Sequence, residues 1–330
     1  MDWATTKKSW IKGCIGIAIS SWTLYLCVTR FEWVEIWQQI KLVPAALIAI
    51  SLVIYMLGFI FRAWRASLML GALCRPSMLE SLAIVTIGYA GNNLLPFRMG
   101  ELMRADAAAR MYGIRRSAAI VQVGGERIMD AMAIVALLLA SMLMVRISGT
   151  GTEQIHQLAI LGAIGFGMGV IGLVMVIRFG KAIKAKLNSR GRIAQWLGNS
   201  VIDTLAGLRN GKRLTLVMLT SLLVWILEAG SFSILATHWG MEGVVPICWF
   251  VMGVVNLSVL LPSAPGHVGV YHWAVVLALG ALAVSGNVAM SFAIVIHAIQ
   301  WISVTAVGLM LMFFCVRKGT RLVSHQSATF

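Results

Sequence analysis

The stretch GNNLLPFRMGELMRA, residues Gly91–Ala105, interrupts an apolar region with two asparagines, a proline, two arginines and a glutamate. Pro96 removes a backbone donor and prevents a helix from continuing, and Asn92 and Asn93 are of a type that caps freed backbone groups. The chain as a whole is 59% hydrophobic. Because irregular backbone at membrane depth must be buried in protein or line a wet cavity, this stretch predicts a helix break inside a membrane protein.

Hydropathy indicates the fold class. Several windows of about 20 residues carry almost no charge, and this is the length that crosses roughly 30 Å of hydrocarbon. We predict an all-α polytopic protein in which residues 1–330 form a single membrane domain. The six predicted transmembrane helices lie at about 11–29, 44–63, 117–145, 157–177, 214–237 and 287–316. Two further apolar regions, 77–113 and 244–284, are interrupted by proline and glycine and predict re-entrant helical hairpins.

The basic residues favour one topology. If both interrupted regions return to the side from which they came, most of the 27 lysines and arginines fall on one side of the membrane. Arg62, Arg65 and Arg104 are counted with the loop charges in this assignment. The positive-inside rule then places both termini in the cytoplasm. Membrane topology therefore explains the net charge of +15, and we expect no nucleic-acid partner.

The same topology predicts an inverted repeat. Residues 1–150 would contain two spans, the hairpin 77–113 and a third span, and residues 151–330 would repeat this order around the hairpin 244–284. Both hairpins carry the tripeptide Leu-Leu-Pro, at residues 94–96 and 260–262. Inverted repeats with broken helices near the midplane are a recurrent transporter architecture.

The first break has the composition of an anion site. A helix that restarts over Met99–Met111 would present free N–H groups at its positive end, close to Arg98. We predict that Arg98 and Arg104 bind an anionic headgroup there. The alternative is that both arginines are interfacial and extend to the phosphates of bulk lipid. The residues assigned to this break are Asn92, Asn93, Pro96 and Gly100.

The sequence GGERIMD, Gly124–Asp130, places three charges within the third span. Glu126 and Asp130 share a helix face at i, i+4, and Arg127 reaches Asp130 at i, i+3. Ionisable groups at this depth are costly and normally face a bundle interior or a water-filled pathway. We predict Arg127 as a third headgroup ligand, and the alternative is a self-neutralising structural cluster. The carboxylates assigned to orienting arginines or relaying protons are Glu101, Glu126, Asp130 and Glu228.

The second break, PSAPGHVGVYH, predicts a gate on the opposite side of the membrane. The residues assigned to it are Pro262, Pro265, Gly266, His267, Gly269 and His272. Histidine can donate to phosphate or change charge near neutral pH, and a neutral packing role is the alternative for both histidines. Their five-residue spacing does not match a helical zinc pair, and no carboxylate adjoins them. We therefore assign no metal and expect no cofactor.

Residues 178–213 form the longest polar stretch, in which many basic residues alternate with apolar ones such as Ile202 and Leu205. This composition predicts a basic amphipathic cytoplasmic loop that contacts the anionic inner leaflet.

Three motifs resemble those of the lysylphosphatidylglycerol synthase transmembrane family, also called flippase-like. The family patterns are N-x-x-x-P-x-R-x-G-E-x-x-R, E-R-x-x-D and P-G-G-x-G-x-x-E. The first matches from Asn92 to Arg104, and the second from Glu126 to Asp130. The third matches at Pro265, Gly266 and Gly269, whereas His267 replaces a glycine and His272 stands where a glutamate is usual.

The resemblance implies that the protein moves lipids between leaflets. We expect a flippase or scramblase-like transporter of the bacterial-type inner membrane, for an anionic phospholipid or a polyprenyl-phosphate-linked lipid. Family members that transfer lysine carry a soluble aminoacyltransferase domain. This sequence has no polar stretch long enough to fold as a separate domain, so no synthase activity is expected.

Several alternatives stay open. An intramembrane transferase could use a polyprenyl-phosphate donor with Glu126 or Asp130 as base, although the resemblance favours a transporter over an enzyme. A second alternative function is that of a non-catalytic membrane subunit in an envelope pathway. A homo-oligomer is compatible with each of these functions.

Overall fold

The structure is a computed structural model, and it describes residues 18–71, 73–145, 152–188, 191, 195, 198–241, 243–259 and 263–317. All regular secondary structure in these ranges is helical. The main helices, numbered in chain order, are α1 (Ala18–Thr29), α2 (Trp33–Lys41), α3 (Ala45–Leu70), α4 (Met78–Leu94), α5 (Met99–Tyr112), α6 (Arg116–Met142), α7 (Thr152–Asn188), α8 (Gly211–Ala236), α9 (Val244–Ser258), α10 (Val270–Ala281) and α11 (Gly286–Arg317). Short helical turns occupy Pro96–Arg98, Gly198–Ile202, Asp203–Leu205, Ala206–Arg209, Thr237–Trp239 and Pro265–His267.

Four helices in the described ranges are long and apolar enough to cross a membrane. Their spanning stretches are Ala45–Leu70, Ala159–Val176, Gly211–Trp239 and Gly286–Phe314. These stretches overlap the predicted spans at 44–63, 157–177, 214–237 and 287–316. The predicted first span begins outside the described ranges, and α6 carries charged residues along the predicted third span. The protein is therefore an all-helical polytopic membrane protein.

Helix α3 corrects the sequence-based assignment of the loop charges. The helix continues to Leu70, seven residues beyond the predicted end of the span, so Arg65 lies inside it as well as Arg62. Their side chains are only 2% and 1% exposed, and Arg104 on α5 is only 3% exposed. These three arginines are buried because carboxylates on other helices pair with them. They therefore do not count toward the charge asymmetry of the loops.

The first break lies where the sequence predicts it. Helix α4 ends at Leu94, Pro96 begins a short helical turn, and α5 restarts at Met99 as predicted. Arg98, the residue before α5, has a left-handed backbone with φ of 54°. The predicted capping by asparagine is wrong, because neither the turn Pro96–Arg98 nor α5 has a side-chain cap. Asn93 donates instead to Thr305 on α11 at 2.9 Å.

Glycines allow α4 and α5 to pack closely after the break. A Cβ built on Gly100 would lie 2.0 Å from the backbone oxygen of Gly88 and 2.4 Å from the amide nitrogen of Asn92. A Cβ on Gly91 would lie 2.8 Å from the Cα of Gly100. The two helices therefore double back on each other with direct backbone contact.

The second break has the same local design. Pro265 begins a short helical turn, and the third residue of the turn, His267, has φ of 56°. Gly269 follows with φ of +86°, and α10 begins at Val270. The structure thus aligns the two breaks as P-x-R-x-G and P-x-H-x-G, from Pro96 and Pro265. The Leu-Leu-Pro echo at 260–262, which includes Pro262, lies outside the described residues.

The remaining helices pack around the two broken segments. Helices α3 and α8 pair along their length, and Ser51 and Ser231 meet with their hydroxyl oxygens 2.7 Å apart. Helix α4 packs on α11, where a Cβ on Gly308 would lie 2.5 Å from the backbone oxygen of Thr86. Helix α9 packs on α6 through Gly253. The helices that lead into the two breaks, α4 and α9, are therefore packed against other helices of the bundle, whereas Leu94, Met99 and Val268 beside the breaks are exposed.

Among the described residues of the basic segment 178–213, the last turns of α7 end at Asn188, and short helical turns occupy residues 198–209. Ile202 and Leu208 are buried, and Leu208 packs in a cluster that includes Met69 and Val217. Two apolar residues of this segment therefore contact the helix bundle.

Gly100→Ala should destabilise the protein, because backbone atoms of α4 occupy the position of the new Cβ. We expect a loss of about 1–3 kcal/mol, measured as a lower midpoint of thermal unfolding in detergent. Gly124→Ala on α6 is the matched control, since a Cβ there meets no described atom within 4 Å. Equal midpoints for the two variants would contradict the close contact of α4 with α5.

Candidate functional site

A cavity of about 130 Å³ lies where the two breaks meet α3, α8 and α11. Its lining combines arginines, amides, histidines and aromatic rings. The polar and charged lining residues are Arg62, Asn92, Asn93, Arg98, Arg127, Glu228, Asn256, His267, His297 and Gln300. The aromatic lining residues are Tyr55, Tyr89, Trp225, Phe232, Tyr271 and Trp301. A cavity with three arginines in a largely apolar and aromatic lining thus lies within the helix bundle.

Helix α11 connects the two breaks. Asn93 of the first break donates its amide to Thr305, and His297 donates Nε2–H to the backbone oxygen of Gly266 in the second, at 3.0 Å. The breaks also pack against each other, since the turn Pro265–His267 contacts α4 and the turn Pro96–Arg98. Both breaks therefore contact α11 and each other.

Arg62 is a cavity residue that the sequence analysis did not identify as part of the site. Its guanidinium donates Nη2 to Glu228 and lies 4.9–5.5 Å from the ring centroids of Phe59, Tyr89 and Trp225. Its Nη1 has no hydrogen-bond partner among the described residues. The sequence feature that could have identified Arg62 is that mostly apolar residues lie on both sides of it and continue to Leu70.

A chain of ion pairs leads from the protein interior to the cavity. Its members alternate in charge, and they are Arg104, Glu126, Arg65, Asp130, Arg127, Glu101 and Arg98. The nitrogen–oxygen distances are 2.7 Å for Arg104–Glu126, 3.6 Å for Arg65–Glu126, 3.4 Å for Arg127–Asp130, 3.0 Å for Arg127–Glu101 and 3.5 Å for Arg98–Glu101. Arg65 binds both carboxylate oxygens of Asp130.

Neutral side chains add hydrogen bonds to the buried ion pairs. Asp130 also accepts a hydrogen bond from Nε1 of Trp225 at 2.9 Å, and Glu126 accepts one from Gln122. Ser221 accepts from Arg65 at 3.1 Å. Because buried charges are tolerated only when they are paired and hydrogen-bonded, these contacts stabilise a fixed packing of α3, α6 and α8.

Tyr89 joins Arg62 to the chain of ion pairs. Its hydroxyl oxygen accepts from Nε of Arg62 and from Nη1 of Arg127, each at 3.2 Å. The ring faces both guanidinium groups, with centroid distances of 5.5 Å and 5.2 Å. Tyr89 therefore holds two of the cavity arginines side by side, a role that its sequence context did not indicate.

The structure separates the predicted site residues into groups. Those that line the cavity are Asn92, Asn93, Arg98, Arg127, Glu228, Gly266 and His267. Arg104, Glu126 and Asp130 lie in the buried part of the ion-pair chain and are not among the lining residues, and Glu101 bridges Arg98 and Arg127. Pro96, Gly100, Pro265 and Gly269 shape the two breaks, and His272 packs against His297 with ring centroids 4.8 Å apart.

Fold and cavity together define a polytopic integral membrane protein with a charged interior site. The chain belongs to the family described as lysylphosphatidylglycerol synthase TM region, which matches residues 13–308. This confirms the resemblance drawn from the three motifs.

One similar protein is named Glycosyltransferase AglD, from Haloferax volcanii. It is 25% identical over an alignment of 330 residues that covers 89% of this chain and 52% of the relative. The chain thus spans about half the length of that protein. No solved structure matches this chain.

Asp130→Asn should be strongly destabilising, because Arg65 would keep its charge in a buried position and lose its bidentate partner. Breaking a buried ion pair costs about 3–5 kcal/mol, and the measurement is thermal unfolding in detergent. Asp106→Asn is the control, since Asp106 pairs with Arg110 and Arg116 at the partly exposed end of α5, where such pairs contribute about 0–1 kcal/mol. A similarly small loss of stability in both variants would show that the buried ion pairs do not stabilise the fold.

Proposed function

We propose that the protein moves a lipid with an anionic headgroup between the two leaflets of a bacterial-type inner membrane. The substrate class is an anionic phospholipid or a polyprenyl-phosphate-linked lipid. The cavity between the two breaks is the observation that carries this proposal. In it the headgroup would contact Arg62, Arg98 and Arg127 while the hydrocarbon chains stay in the bilayer.

The donor chemistry of the cavity supports an anion. Arginine keeps its charge when buried, and its planar fork of donors matches phosphate oxygens. Besides Nη1 of Arg62, four further lining donors have no hydrogen-bond partner among the described residues: Nε of Arg98, Nε of Arg127, Nε2 of Gln300 and Nε1 of Trp301. Of these, Nε of Arg98 and Nε of Arg127 lie in ion pairs with Glu101. A phosphate group would satisfy donors of this kind with charge-assisted hydrogen bonds.

The packing of the helices supports an inverted repeat of residues 1–150 and 151–330. Helix α4 of the first half packs on α11 of the second, and α9 of the second half packs on α6 of the first. Helices α5 and α10 pack on the helices that follow them, α6 and α11. This reciprocal arrangement, with P-x-R-x-G and P-x-H-x-G at corresponding positions, fits two re-entrant hairpins that open from opposite faces.

The proposed topology retains six spans and cytoplasmic termini. Basic residues outside the buried network, including those of segment 178–213, would then face the cytoplasmic leaflet. Their charge would attract anionic lipid to that side.

The proposed transport function is testable with purified protein in liposomes that contain a fluorescent anionic phospholipid. Arg98→Gln should slow translocation at least about tenfold, because a hydrogen bond to a charged group contributes about 1.5–3 kcal/mol. Arg110→Gln on the adjoining helix α5 is the control, since Arg110 pairs with Asp106 and is absent from the cavity lining. Equal rates for wild type and Arg98→Gln would remove Arg98 from the mechanism, and no acceleration by the wild type would reject the proposal.

A transferase is the second candidate, because the relative from Haloferax volcanii is named a glycosyltransferase. The bases proposed for that chemistry, Glu126 and Asp130, are each bound by arginine and do not line the cavity, which weighs against it. Mass spectrometry of the lipids after incubation distinguishes the two functions. We expect lipid masses to stay unchanged while the lipid changes leaflet, and a headgroup mass shift would favour the enzyme.

A further inference from the structure

The ion network of the helix bundle has one more arginine than it has carboxylates. The alternating chain begins at Arg104 and ends at Arg98, with an arginine at both ends. The pair Arg62–Glu228 adds one charge of each sign. Over these described residues the guanidinium groups are Arg62, Arg65, Arg98, Arg104 and Arg127, and the carboxylates are Glu101, Glu126, Asp130 and Glu228.

The excess charge belongs to guanidinium groups, which do not lose their proton in proteins. Each carboxylate of the network already lies within ion-pair distance of at least one of them. A guanidinium group whose carboxylate partner is shared and lies 3.5 Å away keeps donors for a further anion. The network therefore gains stability from one additional negative charge.

The excess charge lies at the cavity. At the interior end, Arg104 binds Glu126 at 2.7 Å. At the other end, Arg98 contacts a carboxylate only at 3.5 Å, and it shares that carboxylate with Arg127. Arg98 lines the cavity, and its side chain is 37% exposed. A ligand in the cavity can therefore reach the least compensated part of the network.

We propose that the cavity selects headgroups that carry a single negative charge at a phosphodiester, and that Glu228 sets this selectivity. The inference rests on the proposed function and narrows its substrate class. One negative charge neutralises the network, whereas a phosphomonoester with two charges leaves a negative excess. A zwitterionic headgroup brings a cation beside three arginines and leaves the network uncompensated.

Two short-chain lipids test the charge rule directly. Dihexanoyl phosphatidylmethanol carries one negative charge. Dihexanoyl phosphatidic acid differs from it by the loss of one methyl group. Phosphatidic acid carries close to two negative charges at pH 8.5, because the second pKa of a phosphate is about 6. Binding to the purified protein is measured by competition with a fluorescent anionic lipid. We expect the wild type to bind phosphatidylmethanol at least about tenfold more tightly than phosphatidic acid, since a tenfold difference in affinity corresponds to only about 1.4 kcal/mol.

Glu228→Gln raises the excess charge from one to two without changing side-chain size, so it should reverse the preference in favour of phosphatidic acid. Glu153→Gln is the matched control, because Glu153 is exposed on α7 and bonds to Gln157 outside the cavity. If Glu228→Gln does not fold, Arg98→Gln provides the complementary test. That variant reduces the excess to zero and should bind neutral dihexanoyl phosphatidylcholine as well as phosphatidylmethanol.

The possible outcomes separate this inference from the proposed function. Equal binding of the two anionic lipids by the wild type, or an unchanged preference in Glu228→Gln, overturns the charge rule even if anionic lipid is still translocated. Absence of both binding and translocation overturns the proposed function itself. Dimethyl phosphate, which has the same phosphodiester without acyl chains, should compete far more weakly; equal competition would assign the cavity to free anions and reject a lipid ligand.

Discussion

The pairing of buried arginines with carboxylates is the constraint on which the rest of the structure depends. A guanidinium group inside a membrane bundle keeps its charge, so every such group requires a carboxylate, an aromatic face or a ligand. These requirements fix the helices relative to one another. Arg65 joins α3 to α6, Arg104 joins α5 to α6, and Arg62 joins α3 to α8. Close backbone contact through Gly88 and Gly100 then brings α5 near enough for Arg104 to reach its partner.

The broken helices convert this ion network into a site. A continuous helix would satisfy its own backbone groups and leave no irregular segment in the interior. At the two breaks, Pro96 and Pro265 end one helical direction, and Arg98 and His267 take a left-handed backbone before the next helix begins. Both breaks are attached to α11, so the cavity is bounded by elements of both halves of the chain. The cavity thus forms where the breaks meet the network.

Local features of this fold could be predicted from the sequence, and long-range partners could not. The proline and asparagines predict the first break and the restart of α5 at Met99, and the spacing of Glu126, Arg127 and Asp130 predicts one helix face with mixed charge. Arg62 and Arg65 were assigned to a loop because hydropathy alone cannot show that α3 continues through them to a buried partner. Those partners lie 166 and 65 residues away along the chain. The two breaks correspond when Pro96 is aligned with Pro265, and this correspondence is seen in the left-handed backbone of Arg98 and His267. The repeated tripeptide Leu-Leu-Pro in the sequence does not show it.

The most direct test of the account is an experimental structure of the protein in lipid nanodiscs prepared with an anionic phospholipid. The account predicts phosphate density in the cavity, within hydrogen-bond distance of Arg98 or Arg62 and between the two breaks. It also predicts that acyl chains leave the cavity toward the bilayer. A structure in which lipid phosphates occur only at the bilayer surface, and in which other side chains neutralise Arg98, would contradict it.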